Sequence, residues 1–195
     1  VASGQWGYFN DLWKFNPATK EWIWISGDTN GSTTLSYFGV KGASSGANLP
    51  PARRAARLWL DASGNLWMFG GDQFETNSYF NDLWRFDIST LQWTWVSGSN
   101  VANQNGVYDS LGAASANNLP GARTGAATWT DSAGNFWLFG GFGNDSASGS
   151  VFLNDLWKFN PSTLQWTWVS GPATGNQAGV YGSIGVASAA YSPGA

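Results

Sequence analysis

One phrase recurs three times along this chain and constrains its fold more than any other feature: "FNDLWKFNPATKEWIW" from Phe9, "FNDLWRFDISTLQWTW" from Phe80 and "LNDLWKFNPSTLQWTW" from Leu153. Asn10, Asn81 and Asn154 lie 71 and then 73 residues apart, and Trp22, Trp93 and Trp166 keep the same offsets. A second phrase, "LPPARRAARLWLDASGNLWMFGGD" from Leu49, returns seventy residues on as "LPGARTGAATWTDSAGNFWLFGGF" from Leu119. Self-similarity at so long a period means one supersecondary unit stacked against copies of itself.

Each unit reads as four short strands. "AARLWL" and "NLWMFGG" flank Asp61-Ala62-Ser63-Gly64, a tight turn in which the aspartate bonds its own backbone and glycine takes positive φ. "NDLWRF" and "QWTWV" flank Asp87-Ile88-Ser89-Thr90, where the sister units use Asn16-Pro17 and Asn160-Pro161. Runs rich in aromatic and β-branched residues between turn signals fit antiparallel sheet, and no amphipathic helix pattern is present. Four antiparallel strands per unit is one blade of a β-propeller.

These residues resemble the kelch repeats. The kelch signature is a Gly-Gly pair closing the second strand, then an aromatic in the third strand and a tryptophan in the fourth after six intervening residues. Gly70-Gly71 and Gly140-Gly141 match the pair, while Phe15 to Trp22, Phe86 to Trp93 and Phe159 to Trp166 match the spacing, with Phe in place of the usual Tyr. The long polar insertions resemble those of large bacterial kelch-type proteins. The resemblance implies a propeller that presents a loop face to a partner, usually another protein. It also reaches enzymes, since copper radical oxidases contain kelch-type blades. Their metal site needs two histidines and a tyrosine crosslinked to cysteine, and this chain has no His and no Cys. Catalytic residues of a larger enzyme would lie outside this chain.

The expected organisation is a single all-β propeller segment: a partial unit at 1–27 and complete blades at 49–98 and 119–171, joined by inter-blade loops 27–50, 98–120 and 171–195. Two complete four-stranded blades and the outer half of another make ten strands. Their sheet edges are expected to be covered by further propeller sequence or by other subunits.

Composition narrows the function. Only 11% of the 195 residues are charged, the net charge is −3, and the nine basic residues are scattered, so no basic stripe exists to neutralise phosphates. Nucleic acid is not an expected partner. The absence of His and Cys removes imidazole bases, thiolates, disulfides and His/Cys metal sites, and no cofactor is expected. No window holds the eighteen or so apolar residues a spanning helix needs. The neutral polar surface points to a secreted, periplasmic or cell-surface protein whose targeting signal is not in this chain.

Several residues invite a functional reading beside a structural one. Arg53 and Arg123 open the innermost strands; the resemblance implies an arginine here that can grip acidic groups at the channel mouth, while its five donors suit it equally to tying down loop carbonyls. Tyr37, Tyr108 and Tyr181 give each inter-blade loop a tyrosine, either a platform for stacking sugars or an anchor holding the loop on its blade. Trp13, Trp84 and Trp157, with Trp22, Trp93 and Trp166, belong to the packing between blades, and Trp24, Trp95 and Trp168 share a face with the latter set. Asp61 and Asp131 are turn residues. Glu75 and the Asn144-Asp145 pair are too sparse for a calcium loop, and no metal site is expected. Gly42, Gly112 and Gly185 each stand eight residues before Pro50, Pro120 and Pro193, which predicts ordered loops with a required backbone shape. The resulting expectation is a non-enzymatic module holding a protein partner on the long-loop face, with carbohydrate binding through the loop tyrosines as the alternative.

Overall fold

The turns set the strand boundaries. In a computed structural model that describes residues 7–29, 36–73, 76–147 and 149–195, Asp61 Oδ1 accepts hydrogen bonds from the backbone N–H groups of Ser63 and Asn65, and its Oδ2 accepts from Trp67 Nε1. Asp131 repeats the set with Ala133, Asn135 and Trp137. Hydrogen bonds from Asn135, Trp137 and the turn backbone lower the Asp131 pKa to about 2. At the next turn Asn160 Oδ1 accepts from the N–H groups of Ser162 and Thr163, as Asp87 does from Ser89 and Thr90.

Between these turns run β1 (Leu12–Asn16), β2 (Glu21–Ser26), β3 (Ser44–Ser45), β4 (Arg57–Leu60), β5 (Leu66–Phe69), β6 (Asp72–Gln73), β7 (Ser78–Tyr79), β8 (Leu83–Asp87) and β9 (Gln92–Ser97). The last unit holds β10 (Ala114–Ser115), β11 (Arg123–Thr124), β12 (Ala127–Thr130), β13 (Phe136–Gly143), β14 (Val151–Asn160) and β15 (Gln165–Ser170). The protein is all-β, and no α-helix forms among the described residues. Every pairing is antiparallel. One blade has the order β3-β9-β8-β5-β4; the next has β10-β15-β14-β13-β11, with β12 also on β13; β1 and β2 form a hairpin. We refer to these as the second blade, the third blade and the first hairpin.

The blades differ from the expected four strands in one respect. Each complete blade gains a short outermost strand, β3 or β10, lent by the inter-blade loop that precedes it. Ser44 pairs with Thr94, and Ala114 pairs with Thr167. A long loop thus protects the blade's outer edge, which would otherwise present unpaired backbone groups.

Packing between blades explains the tryptophans. Trp67, Phe69 and Leu83 of the second blade are buried against Phe136, Leu138, Trp157, Phe159 and Trp166 of the third. Trp59 stacks on Phe136 with ring centroids 5.3 Å apart. On the second blade's other side, Trp84, Phe86 and Trp93 pack against Leu12 and Ile25 of the first hairpin. The backbone closes over this core at Gly70 (φ 65°) and Gly71 (φ 97°), where an added Cβ would lie 2.6 Å from the Arg123 carbonyl of the next blade or from that of Arg54. The Gly-Gly pair is therefore required by close approach as well as by φ. In the first hairpin the burial expected for the tryptophan set does not hold: Trp13, Trp22 and Trp24 are 48 to 64% exposed. Their face points away from the second blade, and no described strand covers it.

Candidate functional site

The two repeated arginines occupy the same internal site. Arg123 donates from Nη1 and Nη2 to the two carboxylate oxygens of Asp155 at 2.6 and 2.7 Å, from Nη1 to the Gly140 carbonyl, and from Nε to the Gly121 carbonyl. Arg53 makes the matching contacts with Asp82, Gly70 and Pro51. Both guanidinium groups are buried, so each ties the inter-blade crossing to the third strand of its own blade and offers no open face to a partner. The bidentate fork is the geometry that suits arginine to this work. Burial alone would raise the Asp155 carboxyl, but the Arg123 charge and the hydrogen bonds from Arg123, Tyr108 and Trp157 outweigh it and hold the carboxyl below the usual range.

Tyr108 belongs to this cluster. Its hydroxyl donates to Asp155 Oδ2 at 2.6 Å, and its ring lies 4.9 Å from Trp157 and 5.2 Å from Trp168, centroid to centroid. Burial, together with the Asp155 charge, pushes the phenol well above its ordinary range, so it stays a donor. A ring wedged in this way is an anchor and cannot stack on a sugar. The equivalent of Tyr108 in the first loop is Phe38, whose ring lies 5.0 Å from both Trp84 and Trp95. Tyr37 instead corresponds to Val107 and Val180, which form matching backbone bridges, and it is exposed. The expected equivalence of the three loop tyrosines is thus corrected at Tyr37, because that loop has one more residue between its tyrosine and its glycine. Tyr181 is the true counterpart of Tyr108, yet it is 82% exposed.

The inter-blade loops are ordered wedges. In the second loop Val107 and Leu119 exchange backbone hydrogen bonds, Asn118 Nδ2 donates to the carbonyls of Ala113 and Trp166, and the Gly112 N–H donates to the Trp168 carbonyl. Asn48 and Gly42 repeat the last two contacts on the second blade. Gly42, Gly112 and Gly185 have φ of 79 to 83° and open space where a Cβ would go, so φ alone calls for glycine there.

With the wedges committed to the seams, the face at the start of β8 and β14 is built from other segments. These are the β6–β7 hairpin, the extended ends of β13 and β14, and the stretches 98–106 and 171–178. Asn144 and Asp145 pin them together: Asn144 Nδ2 donates to the Asn103 carbonyl and Asn105 Oδ1, and Asp145 accepts from the N–H groups of Ala147 and Gly175. Glu75 lies outside the described residues. Val101 and Phe152 are exposed on this face. On its inner side Arg54 Nε donates to Asp72 Oδ2 at 3.0 Å with the arginine side chain 53% exposed, and Thr124 Oγ1 donates to Asp72 Oδ1. The hydrogen bond to Asp72 raises the Arg54 pKa, so the group is a fixed cation. Sequence reasoning passed over Arg54. The available signal was that its neighbour repeats in the next unit, where Thr124 replaces Arg54.

Among the described residues no group of three or more Asp or Glu side chains is placed to hold a metal ion, and no helix is long and apolar enough to cross a membrane. The family model described as the KLHDC2/KLHL20/DRC7 Kelch-repeats domain matches residues 33–188. Among solved structures, the chain is similar to that described as "Structure of YjhT", with a TM-score of 0.50 and 17% sequence identity over 86% of this chain. The match covers 47% of the YjhT chain, so this chain spans about half of that chain's length. The internal repeat, the antiparallel blades, the Gly-Gly closures and the family match agree, and the chain belongs to the Kelch-repeat family of β-propellers.

Proposed function

We propose that this chain is a non-enzymatic interaction module of an exported or cell-surface protein, and that it holds a protein partner on the face carrying Arg54, Val101 and Phe152. Membership of a family of protein-interaction propellers supports the general reading. The observation that carries the specific one is the contrast between the paired arginines. Arg53 is buried in an ion pair that the next unit repeats, whereas Arg54 is half-exposed and has no counterpart in that unit. Repetition marks scaffold, and a cation on a rigid, pinned face with apolar neighbours suits an acidic side chain rimmed by apolar contacts on the partner.

A photo-crosslinker at position 101 or 152, used in native preparations, tests the face, and Arg54→Glu tests the residue. The expected result is a discrete crosslinked protein that the charge reversal removes, with near-ultraviolet circular dichroism showing the fold intact and the melting temperature lowered because the buried Asp72 loses its counter-charge. Crosslinks unaffected by Arg54→Glu would sink the arginine's role. Saturable binding on a glycan array, with no crosslinked protein, would move the function to carbohydrate.

A further inference from the structure

Between the two complete blades lies a cavity of about 360 Å³, bounded by the end of β9 on one side and by the start of β15 and residues 116–119 of the second wedge on the other. Small-molecule sites occupy about 300 to 1,000 Å³, so it suits a ligand at the small end of that range. Its polar groups come from Lys41 of the first wedge, Ser97, Asn117, Thr163, Gln165 and Trp166, and no carboxylate lines it among the described residues. Several of these groups are unmet by the protein. Trp166 is 2% exposed, yet its Nε1–H has no acceptor among the described residues, and the buried Ser97 hydroxyl has no partner there either. The side-chain amides of Asn117 and Gln165 also make no hydrogen bond among the described residues. A buried polar group without a partner is costly, and native proteins leave few of them unanswered.

The indole alone does not distinguish this cavity, since Trp93, at the matching place in the second blade, leaves its N–H unmet as well. The residues that break the repeat do. Lys41 stands where the other wedges have Leu111 and Ile184, and Asn117 stands where they have Ala47 and Ala190. They come from different wedges, both are exposed, and both line this one cavity. The Lys41 ammonium donates to the Gly98 carbonyl at 2.8 Å and lies 4.3 Å from the centre of the Trp95 ring. Its charge is thus already held, and what it offers a ligand is its remaining N–H groups.

We propose that this cavity binds one neutral sugar residue. Lys41 and Trp166 can only donate, whereas the hydroxyls of Ser97 and Thr163 and the amides of Asn117 and Gln165 both donate and accept. A ring carrying hydroxyls on adjacent carbons answers that mixture, because each hydroxyl also does both. An anion would satisfy the donors and leave the amide oxygens unmet, and an apolar ligand would leave everything unmet. The cavity shares no residue with the Arg54 face or the loop tyrosines, so the proposal is independent of the protein-binding reading.

Two-dimensional NMR of the full chain, titrated separately with the methyl glycosides of glucose, galactose, mannose, fucose and N-acetylglucosamine, tests this. The expected result is saturable binding of at least one of them, with the Trp166 indole N–H and the Asn117 and Gln165 side-chain amide resonances moving together. Asn117→Ala and Lys41→Leu each install the residue that a sister wedge already carries, so the fold should tolerate both. Each should weaken binding about three- to tenfold, the scale of one hydrogen bond. The inference is overturned if none of the five sugars binds, or if one binds without moving the Trp166 resonance. Displacement of the sugar by excess acetate would make this an anion site and overturn it too. Binding lost with Tyr181→Ala and kept with Asn117→Ala would place the sugar on a loop tyrosine instead.

Discussion

Trp157 and Trp13 occupy the same place in the same phrase, and each donates its indole N–H to the aspartate two residues before it. Trp157 is fully buried while Trp13 is 49% exposed. The difference lies entirely in the neighbour. The third blade has Tyr108 wedged over Trp157, Arg123 forked onto Asp155 and the core of the second blade behind them. The first hairpin has the tryptophans and Asp11, and no described residue plays the part of Tyr108 or Arg123. A repeat protein holds its stability in such interfaces more than in its units. The two regions therefore form a natural experiment in which identical local chemistry is measured with and without its surroundings.

The largest separation between them is expected at the aspartate. Asp155→Asn leaves the Arg123 guanidinium buried without its counter-charge, which destabilises by about 3 to 5 kcal/mol. Asp11→Asn, which loses only an exposed bond from Trp13, should change stability by about 0.5 kcal/mol or less. Urea denaturation of both variants measures the gap, and comparable losses at the two positions would break the comparison. The same pair sets an acid limit. The Asp155 carboxyl titrates below its unfolded value, so its contribution is fully present above the ordinary carboxylate pKa of about 3.9 and is lost as pH falls through the lower folded value. The wild type should lose stability steeply below about pH 4, and Asp155→Asn should flatten that slope.

How far the sequence could be read follows the same division. The blades were legible because their determinants are local: a turn aspartate bonds residues two to four positions on, and a repeated glycine pair reports a φ requirement. The role of Arg53 was not decidable, since its partner Asp82 is 29 residues away, just before β8, and nothing local selects it over a ligand. Tyr37 was misplaced by one residue, and in extended backbone one residue reverses the side a ring faces, which is why Phe38 does the packing. The edge strands β3 and β10 are two residues each, with no apolar alternation to announce them. The exposure of Trp22 was invisible because its sequence matches that of Trp93 and Trp166. The candidate site was legible only in negative: Arg54 stands out once the repeated residues are set aside as scaffold.

A smaller separation is expected at the loop glycines. Gly112 and Gly185 share a φ of 79°, and in each case a Cβ would meet nothing. Forcing valine into that conformation costs about 1 to 3 kcal/mol wherever the loop must hold its shape. At Gly112 it must, because the N–H donates to Trp168 and the wedge covers the third blade, so Gly112→Val should lower the stability of the whole chain by that amount. At Gly185 the wedge covers no described blade, and Gly185→Val should leave the denaturation midpoint within experimental error. If both variants unfold at the wild-type midpoint, the wedges are ornaments on the seams rather than part of them.

The smallest effect should be the same in every copy, and so it tests whether the contrast really belongs to the seams. The turns joining β1 to β2 and β14 to β15 end on Lys20 (φ 60°) and Leu164 (φ 56°), exposed residues in left-handed backbone at matching positions. That conformation disfavours both side chains, whereas asparagine accepts it through a short polar side chain that bonds locally. Asparagine also avoids the chain entropy that glycine would add to the unfolded state. Lys20→Asn and Leu164→Asn should each stabilise their hairpin by about 0.5 to 1 kcal/mol, because the strain relieved is a property of the turn alone. Native-state hydrogen exchange at the first N–H groups of β2 and β15 reads each gain locally, without requiring the two hairpins to unfold together. Equal slowing at the two sites confines the difference between Trp13 and Trp157 to the interfaces. A gain at Leu164 with none at Lys20 would mean that the first hairpin frays as a unit, and its tryptophans would then be exposed by loss of its own order as well as by lack of a neighbour.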